Sequence, residues 1–407
     1  MKIWRKINFF LFLAGMLLGI NSCDIKSNKN DAKGKVIIRD TIIHKTPADT
    51  VKVKDLGTIT DRKYNDIARY IAGMKAWSGS PYAEIENDSV WMKFSKNFDL
   101  AWKQVTVTRL KPMAIWASTE LTEENKDNLD IFYPLSGPDI LHANVFFPDA
   151  KNYHLYALER NGALPDLEHM DKKEIENYVK EVYSSLGDVF TKSYFITHKM
   201  MTALTANNVN GTLPLICVFL VRTGHEIINI QYFHLNDDGT ESPLNKDSLG
   251  TRHNDLVKVY LKNNKNTSIQ MVSYMRCDLS DGAYQKNTAL KNYFAKMPQS
   301  ITYLKSASYL LHYAFFTSFR NLILSKSKAI LEDDTGIPYK YFTKDKWAVT
   351  LYGVYVNPVE DFSGVFQNDL LKAYQDNKPT KPQLLPFSLG YHWGTSKQNL
   401  IKAQLKN

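Results

Sequence analysis

The one long apolar run of this chain lies at its start and separates a leader from the rest of the sequence. Lys2, Arg5 and Lys6 are basic, and residues 7–20 are then apolar except for Asn8. A basic start followed by an apolar stretch and small residues is typical of a secretory signal. The run is shorter than the roughly 20 residues that span a bilayer, so an uncleaved membrane anchor is the weaker alternative. The remainder of the chain is expected to fold outside the membrane.

The leader ends at a cysteine in a specific context. The sequence there is Ile20-Asn21-Ser22-Cys23. This stretch resembles the lipobox of bacterial lipoproteins, in which a small residue precedes an obligatory cysteine. Ser22 and Cys23 match that pattern, whereas Ile20 and Asn21 depart from its commonest residues. The resemblance implies a signal peptide over residues 1–22, cleavage before Cys23, and acylation of the Cys23 thiol. More than one acyl chain would make the attachment to the membrane stable.

The sequence after the cleavage point divides into a polar connection and a long body. Residues 24–57 are rich in Ser, Asn, Lys and Asp and contain only short apolar pieces. We predict a lipidated tether over residues 23–57 and a single large globular domain over residues 58–407. A tether of this length lets a domain stand away from the membrane. The expected location is the cell envelope, with the outer membrane favoured and the domain facing the periplasm or the cell surface.

Composition supports a folded body and excludes several classes of protein. Hydrophobic residues make up 44% of the chain and aromatic residues 12%, which is neither a disordered nor a fibrous composition. The net charge of +9 is spread along the chain, which allows contact with anionic lipid or an envelope polymer. The export signal and the lack of a nucleic-acid motif exclude nucleic acid as a partner. We expect the lipid bilayer as a partner through acylated Cys23, and an envelope polymer or protein as a further candidate.

Cysteine and histidine usage gives no sign of a metal site or a cofactor. After Cys23, only Cys217 and Cys277 remain, in segments that we interpret as strands. An oxidising compartment permits a disulfide if those strands are neighbours, but two buried free thiols are the favoured alternative. None of the ten histidines forms a His-x-x-x-His or His-Glu-x-x-His pattern. We predict no metal and no cofactor.

Helical periodicity alternates with β-type composition along the body. Helices are predicted after Asp88 or Ser89 and over residues 172–205, with Asp171 as the cap of the second. Strands are predicted over residues 130–133, 143–147, 153–158, 213–222, 226–235, 256–262, 268–277 and 347–356.

Turn residues between the predicted strands indicate their pairing. Residues 213–235 and 256–277 are predicted to form two hairpins, residues 328–342 a third, and the tail is expected to be irregular. Consecutive hairpins favour antiparallel pairing. The predicted fold class is therefore α+β, a largely antiparallel sheet with helices packed on one face or at its ends.

The first candidate site is the turn that follows the strand ending at Tyr133. Its prolines and glycine make a rigid turn that presents Ser136 and Asp139, with His142 three residues further on. Ser136 does not stand in a nucleophile elbow, because no glycine lies two residues before it. A purely structural turn, with Asp139 capping a short helix, is the alternative.

The second candidate site is the acidic segment Glu332-Asp333-Asp334-Thr335-Gly336. Adjacent carboxylates at the end of a strand can bind a cation or supply an acid and a base. In an extended chain, however, Asp333 and Asp334 point to opposite faces. The alternative is an ordinary hairpin turn.

Two arginines and an aromatic tail complete the candidates. Arg222 lies near the tip of one predicted hairpin and Arg276 at the end of a predicted strand, where either can bind an anionic group. Residues 387–394 contain Phe, Tyr, His and Trp, and these rings either stack on a sugar or pack in the core.

Three segments of the body resemble segments of uncharacterised exported bacterial envelope proteins. They are Tyr133 to Asp139, Phe146-Phe147-Pro148 and Asp333 to Pro338. The resemblance implies a domain that covers most of residues 130–395. Because no activity is established for that group, it implies no mechanism.

These observations support three hypotheses. The first is a membrane-anchored lipoprotein that binds a ligand or an envelope component. The second is a hydrolase of envelope or imported polymers that uses Asp139 with Asp333 or Asp334, whose carboxyl groups would have to lie within about 10 Å of each other. The third is an assembly partner with a broad exposed apolar patch. A binding or catalytic site requires Asp139, His142, Arg222, Arg276 and Asp333 to converge.

Overall fold

The computed structural model describes residues 62–77, 79–125, 130–195, 209–245, 254–263, 268–376, 382–394 and 396–406. Cys23, the predicted signal peptide and the predicted tether lie outside these ranges, so the lipid anchor stays a prediction. Within the described ranges, every helix is too short or too polar to cross a bilayer.

A ten-stranded sheet forms the centre of the fold. In chain order its strands are β1 Asp130–Pro134, β2 Asn152–Ala157, β3 His225–Leu235, β4 Glu241–Pro243, β5 Asp255–Asn263, β6 Ile269–Arg276, β7 Ser300–Leu304, β8 Ser327–Glu332, β9 Trp347–Gly353 and β10 Asn399–Leu405. Their order in space is β4-β3-β5-β6-β2-β1-β7-β8-β10-β9.

The five middle strands of the sheet, β6-β2-β1-β7-β8, are parallel. Numbered in chain order among themselves, they stand in the order 3-2-1-4-5, which is the order of doubly wound α/β sheets. The chain starts at β1, adds β2 and β6 on one side, and then returns to add β7 and β8 on the other. The point between β1 and β7 is therefore a topological switch point. Antiparallel strands extend both ends of the sheet.

Helices of the described ranges connect these strands. They are α1 Lys63–Ile71, α2 Ser89–Val105, α3 Lys111–Glu120, α4 Ile140–Phe146, α5 Lys172–Lys192, α6 Leu213–Arg222, α7 Asp281–Tyr284, α8 Thr288–Lys296, α9 Thr317–Lys326 and α10 Asn368–Asp376. The π-helical turn Thr106–Leu110 joins α2 to α3 without a break.

Each face of the sheet carries its own hydrophobic core. Along β1, Ile131 and Tyr133 belong to the first core, while Phe132 between them belongs to the second. This alternation follows from the two-residue period of a strand. Helices α1 to α6 contribute to the first core and helices α7 to α10 to the second. The sheet is thus covered on both faces.

The α+β class is confirmed, but the finer prediction is wrong in two respects. The sheet is mixed instead of largely antiparallel, and the helices do not lie on one face. The hairpin of β5 and β6 is confirmed, with Leu256 opposite Met275. The parallel pairs, by contrast, join residues such as Ile131 and Ile301. Pairings over such separations leave no local pattern in the sequence.

The segment predicted as the strand 213–222 is helix α6. Its residues from Leu213 to Val221 are all buried, so no polar face reveals the helical period. Pro214 lies in the first turn of the helix, where a proline is tolerated. Cys217, in this helix, and Cys277 are buried free thiols that belong to different cores. The two sulfurs are therefore on opposite faces of the sheet.

Three further segments differ from prediction. Residues 143–147 lie largely in α4 instead of a strand. Residues 328–342 do not form a hairpin, because β8 pairs with β7 and β10 while a 3-10 helix occupies Tyr339–Tyr341. The tail contains β10, which had not been predicted.

The residues predicted to begin helices α2 and α5 are confirmed. A carboxylate oxygen of Asp88 accepts hydrogen bonds from the backbone N–H of Val90 at 2.9 Å and of Trp91 at 3.3 Å. Asp171 and Glu174 form a reciprocal capping box. The predicted end of the second helix at residue 205 is wrong, because α5 ends at Lys192 and Ser193 takes a left-handed conformation. Residues 196–205 lie outside the described ranges.

Candidate ligand site at the switch point

The candidate residues nearest the sheet follow neighbouring parallel strands. Asp139 and His142 come after β1, Lys305 comes directly after β7, and Asp333 comes directly after β8. Parallel strands end at the same edge of a sheet, and ligands of doubly wound sheets bind outside those ends at the switch point. The fold therefore brings these side chains to the place where such a sheet is expected to bind a ligand.

Asp139 is the centre of a buried polar cluster. One carboxylate oxygen accepts a hydrogen bond from His142 Nδ1 at 2.8 Å. The other oxygen pairs with the ammonium group of Lys305 and accepts from the Tyr133 hydroxyl at 3.3 Å. Asp139 precedes α4 but its side chain does not cap that helix. The predicted capping role of Asp139 is therefore wrong, while a purely structural role of the turn stays a prediction.

Lys305 was not among the sequence candidates, although it connects the cluster to a further segment. Its ammonium group also donates a hydrogen bond to the backbone oxygen of Ser193 at 2.6 Å. The Lys305 side chain is only 2% exposed. Its sequence signal was weak, because a lysine after a strand is usually a solvent-exposed residue.

The charges of this cluster follow from burial and from pairing. Burial alone would raise the pKa of Asp139, but His142 and Lys305 lower that pKa to about 2. Burial lowers the pKa of His142 to about 4 despite the neighbouring Asp139. His142 is therefore neutral at pH 7, and its Nδ1 lies 2.8 Å from Asp139 and 2.9 Å from Lys305 Nζ. Because the ionised Asp139 carboxylate can only accept, we assign the hydrogen of the imidazole to Nδ1. This leaves the lone pair of His142 Nε2 as a hydrogen-bond acceptor.

A second group of carboxylates lies at the end of β8. Asp333 accepts hydrogen bonds from the backbone N–H of Ser306 at 3.2 Å and of Thr335 at 3.1 Å. Asp334 instead accepts from the Asn399 side chain at 3.1 Å and contacts His392 Nε2 at 3.4 Å. The two carboxylates thus face different neighbours, although residues 333–336 form a turn in which Gly336 N–H donates to Asp333 O at 3.0 Å.

The pKa values of this group are shifted upward. Burial and the neighbouring Asp334 raise the pKa of Asp333 to about 6. Burial raises the pKa of Glu332 as well. For His392, burial lowers the pKa, but the hydrogen bond and charge of Asp334 outweigh it and the pKa is raised. Gly390 lies directly against Asp333, because a Cβ atom at residue 390 would be only 2.3 Å from the Asp333 carboxylate.

Several buried polar atoms at this edge have no partner among the described residues. They are His142 Nε2, Ser193 Oγ, Tyr303 Oη, Ser306 Oγ and Glu332 Oε1. Buried polar groups of native proteins are nearly always hydrogen-bonded, and exceptions point to a bound water, ion or ligand, or to a catalytic role. Three of these residues surround Lys305, because His142 and Ser193 contact its ammonium group and Ser306 follows it in the chain. The unpartnered atoms of these three residues indicate a place that can take up a polar molecule.

Backbone conformation marks the same place. Leu135, Ser193 and Ser306 have φ angles of 59°, 67° and 61°. Positive φ is costly for residues other than glycine, and such strain concentrates at functional sites. Leu135 follows β1, Ser306 follows Lys305, and the Ser193 carbonyl binds Lys305.

A cluster of aromatic rings lies in the segments that flank this site. Tyr309 stacks on Phe362 with ring centres 4.1 Å apart. The ring centre of Tyr391 lies 5.0 Å from that of Phe362 and 4.6 Å from that of Tyr194. All four rings are partly exposed. The aromatic residues of the tail therefore have two different roles. Tyr391 belongs to this partly exposed cluster, whereas Phe387 packs into the first core.

Glu159 and Ser136 lie nearby at the ends of β2 and β1. Glu159 is buried, and burial raises its pKa. A Cβ atom on Gly137 would lie 4.0 Å from the Glu159 carboxylate, so this side chain faces the turn after β1. Ser136 holds that turn, because its backbone N–H donates to Tyr156 O at 3.2 Å and its hydroxyl donates to Gly137 O at 2.9 Å.

The two candidate arginines are not part of the cluster. Arg222, at the end of α6, donates to Ala72 O, pairs with Asp99 and stacks on Phe98 at 4.4 Å. Arg276 donates to Leu158 O at 3.2 Å, at the end of the strand β6. Of the five residues expected to converge, the structure brings together Asp139, His142 and Asp333.

Comparison with known proteins adds no constraint on this site. The chain matches no known protein-family model, and it has no significant match to a curated protein or to a solved structure. In the described ranges, His, Cys, Asp and Glu side chains form no group of three that is arranged to hold a metal ion.

Proposed function

We propose that this protein is a lipid-anchored envelope protein whose domain binds a small polyhydroxylated ring at the switch point of its sheet. The observation that carries the ligand site is the set of buried polar atoms without partners around Lys305, which are His142 Nε2, Ser193 Oγ and Ser306 Oγ. The anchor rests on the resemblance of the Cys23 segment to a lipobox.

The chemistry of the site favours vicinal hydroxyl groups. Neutral His142 Nε2 accepts a hydrogen bond, and the free hydroxyls of Ser193 and Ser306 both donate and accept. In doubly wound sheets, an acidic residue about 20 residues after the first turn binds the hydroxyls of a ribose. Glu159 stands in the corresponding place, at the end of β2. The adjacent aromatic rings suit the flat or apolar face of the same ligand.

The turn after β1 argues against a phosphorylated ligand. It lacks the G-x-G-x-x-G pattern that cradles a pyrophosphate, and Pro138 removes one backbone N–H. The ionised Asp139 carboxylate stands at the start of α4, where a phosphate would otherwise approach. The ligand class is thus a nucleoside or a free sugar without phosphate.

Ser306→Ala tests this proposal without disturbing the fold. The Ser306 hydroxyl has no partner, so its loss should leave the melting temperature unchanged but weaken ligand binding several-fold, the effect of one hydrogen bond of about 1 kcal/mol. Binding is measured by saturation-transfer NMR against a panel of nucleosides and monosaccharides. Ser308→Ala is the matched control, because its hydroxyl bonds Thr335 Oγ1 at 3.0 Å. That variant should lose stability and keep its affinity; the reverse pattern contradicts the proposal.

A hydrolase is the second candidate, and the opposite pKa shifts of two carboxylates favour it. The pKa of Asp139 is about 2 and that of Asp333 about 6, which is the division expected for a base and an acid. Burial raises the pKa of Tyr303, and the charges of both carboxylates raise it further. A hydrolase of this kind requires the two carboxyl groups to lie within about 10 Å of each other.

The hydrolase predicts a specific pH dependence. Protonated Asp333 would be the acid, so cleavage should be fastest near pH 5 and fall as the pH rises through about 6. Asp333→Asn should reduce the rate at least 100-fold, since general acid catalysis contributes roughly 10²–10⁴. The measurement is release of reducing ends from envelope polysaccharides between pH 4 and pH 8. Absence of cleavage at every pH would contradict the hydrolase and leave ligand binding as the proposed function.

A further inference from the structure

Residues 89–120 form one long helix composed of α2, the π-helical turn and α3. Its inner side carries Trp91, Phe94 and Trp116 into the first core. Its outer side exposes three large apolar side chains, with Leu100 60%, Val107 57% and Ile115 66% exposed. Removing apolar side chains from water is favourable, so a surface that exposes three of them is suited to a partner.

The three apolar residues are aligned along the helix. They follow each other at intervals of seven and eight residues, which is two helical turns. The eight-residue interval includes part of the π-helical turn, whose wider turn keeps Ile115 in line with the other two. Scattered exposed apolar residues are normal, but a line of three over roughly 22 Å is a defined surface.

Three exposed lysines repeat with the same spacing. Lys96, Lys103 and Lys111 each stand four residues before one of the apolar residues, and all three are exposed. Residues four apart are neighbours on a helix surface. Lysine and apolar side chains therefore alternate along one ridge, which we call the Lys–apolar strip: Lys96, Leu100, Lys103, Val107, Lys111 and Ile115.

This composition suits a lipid surface better than a protein surface. Lysine is depleted at the core of protein–protein interfaces. At a bilayer, its ammonium group reaches the lipid phosphates while its stem and the neighbouring apolar side chains enter the boundary of headgroups and acyl chains. The positive charge of the strip selects anionic lipid.

The inner side of this helix is fixed to the domain, which leaves its outer side facing solvent. Trp91 Nε1 donates to Tyr70 O at 3.2 Å, and Ser95 Oγ donates to Gly73 O at 2.7 Å. Both contacts lie at the end of helix α1.

We propose that the Lys–apolar strip binds the surface of an anionic lipid bilayer and lays the domain against the membrane. This contact is separate from the ligand site, because the strip lies on the outer side of the helices that cover the first core. It also adds to the acyl anchor, since a single acyl chain gives only reversible attachment.

Vesicle binding tests the strip with two complementary variants. The protein used starts at Asp24, which keeps every described element and removes the predicted signal and the lipid. It should sediment with vesicles of phosphatidylcholine and phosphatidylglycerol, less with phosphatidylcholine alone, and less at high salt. Two triple variants should each lower the affinity for these vesicles about tenfold or more. The first replaces the apolar residues, Leu100→Gln/Val107→Gln/Ile115→Gln, and the second replaces the lysines, Lys96→Glu/Lys103→Glu/Lys111→Glu.

A charge-matched control separates the strip from the net charge. Lys286, Lys344 and Lys372 are exposed and stand beside elements of the second core, so replacing these three by glutamate should have a much smaller effect. Equal loss in this control would overturn the proposal, as would absence of binding by the parent protein. A parent that forms a dimer, with dimerisation lost in the glutamine variant and no vesicle binding, would assign the strip to a second copy and also overturn it.

Discussion

Lys305→Met is expected to lower the free energy of unfolding by about 3–5 kcal/mol, because it leaves a buried carboxylate without its cation. The Asp139 side chain is 3% exposed and that of Lys305 2%. Methionine fills a similar volume, so loss of packing contributes little. Urea denaturation at pH 7, followed by circular dichroism, measures the effect.

Two controls isolate the charge. Lys172→Met breaks an ion pair with Asp88 on the surface, where the lysine side chain is 71% exposed, and no change should be resolved. Asp139→Asn combined with Lys305→Met removes both charges and should recover a large part of the loss. A Lys305→Met variant within about 1 kcal/mol of the parent would contradict the buried ion pair.

The pH dependence of stability follows from the same pair. Folding lowers the pKa of Asp139 to about 2 from its ordinary value of 3.8. The stability that its charge contributes is thus fully present above pH 4 and is lost as the pH falls through 2. Without Lys305 the pKa rises, so the variant should lose stability less steeply on acidification than the parent between pH 4 and pH 2.

Cys23→Ala is expected to abolish lipid attachment completely. In a bacterial host that exports lipoproteins, the parent should incorporate a labelled palmitate analogue and remain in the membrane fraction after a high-salt wash. The variant has no thiol to acylate, so it should carry no label, and high salt should release any protein held only by its basic surface.

The other two cysteines provide the control for lipid attachment. Cys217 and Cys277 are buried, and burial raises the pKa of both thiols, which makes them poor sites of acylation. Cys217→Ala and Cys277→Ala should keep the label. If the Cys23→Ala protein still carries label and resists the wash, the lipid is not attached at Cys23 and the prediction is contradicted.

The sequence revealed those parts of the site that lie directly after recognisable strands. Asp139 and His142 follow β1, and Asp333 follows β8, so their position alone made them candidates. Lys305 was missed because its role depends on the pairing of β1 with β7, whose partners Ile131 and Ile301 lie far apart in the chain. Glu159 was missed for the same reason. Only the parallel pairing of β1 with β2 shows that this residue, which follows β2, lies at the edge of the sheet where the site is.

The fold was predictable where contacts are local. The hairpin of β5 and β6 and the caps of α2 and α5 depend on residues close in sequence, and these predictions were confirmed. Helix α6 was misread because an apolar segment buried on all sides has no period to detect. The doubly wound order of the middle strands is set by packing on both faces, which no local pattern encodes.

The central claim is that the switch point binds a vicinal diol, and saturation-transfer NMR on the parent and on Glu159→Gln tests it most directly. The parent should transfer saturation to the ring protons of a nucleoside or a sugar, and the glutamine variant should lose that transfer while keeping its melting temperature. A nucleoside response assigns the ring to ribose, and a response to free sugars assigns it to a saccharide. Equal transfer in both proteins, or none to any member of the panel, would contradict the claim.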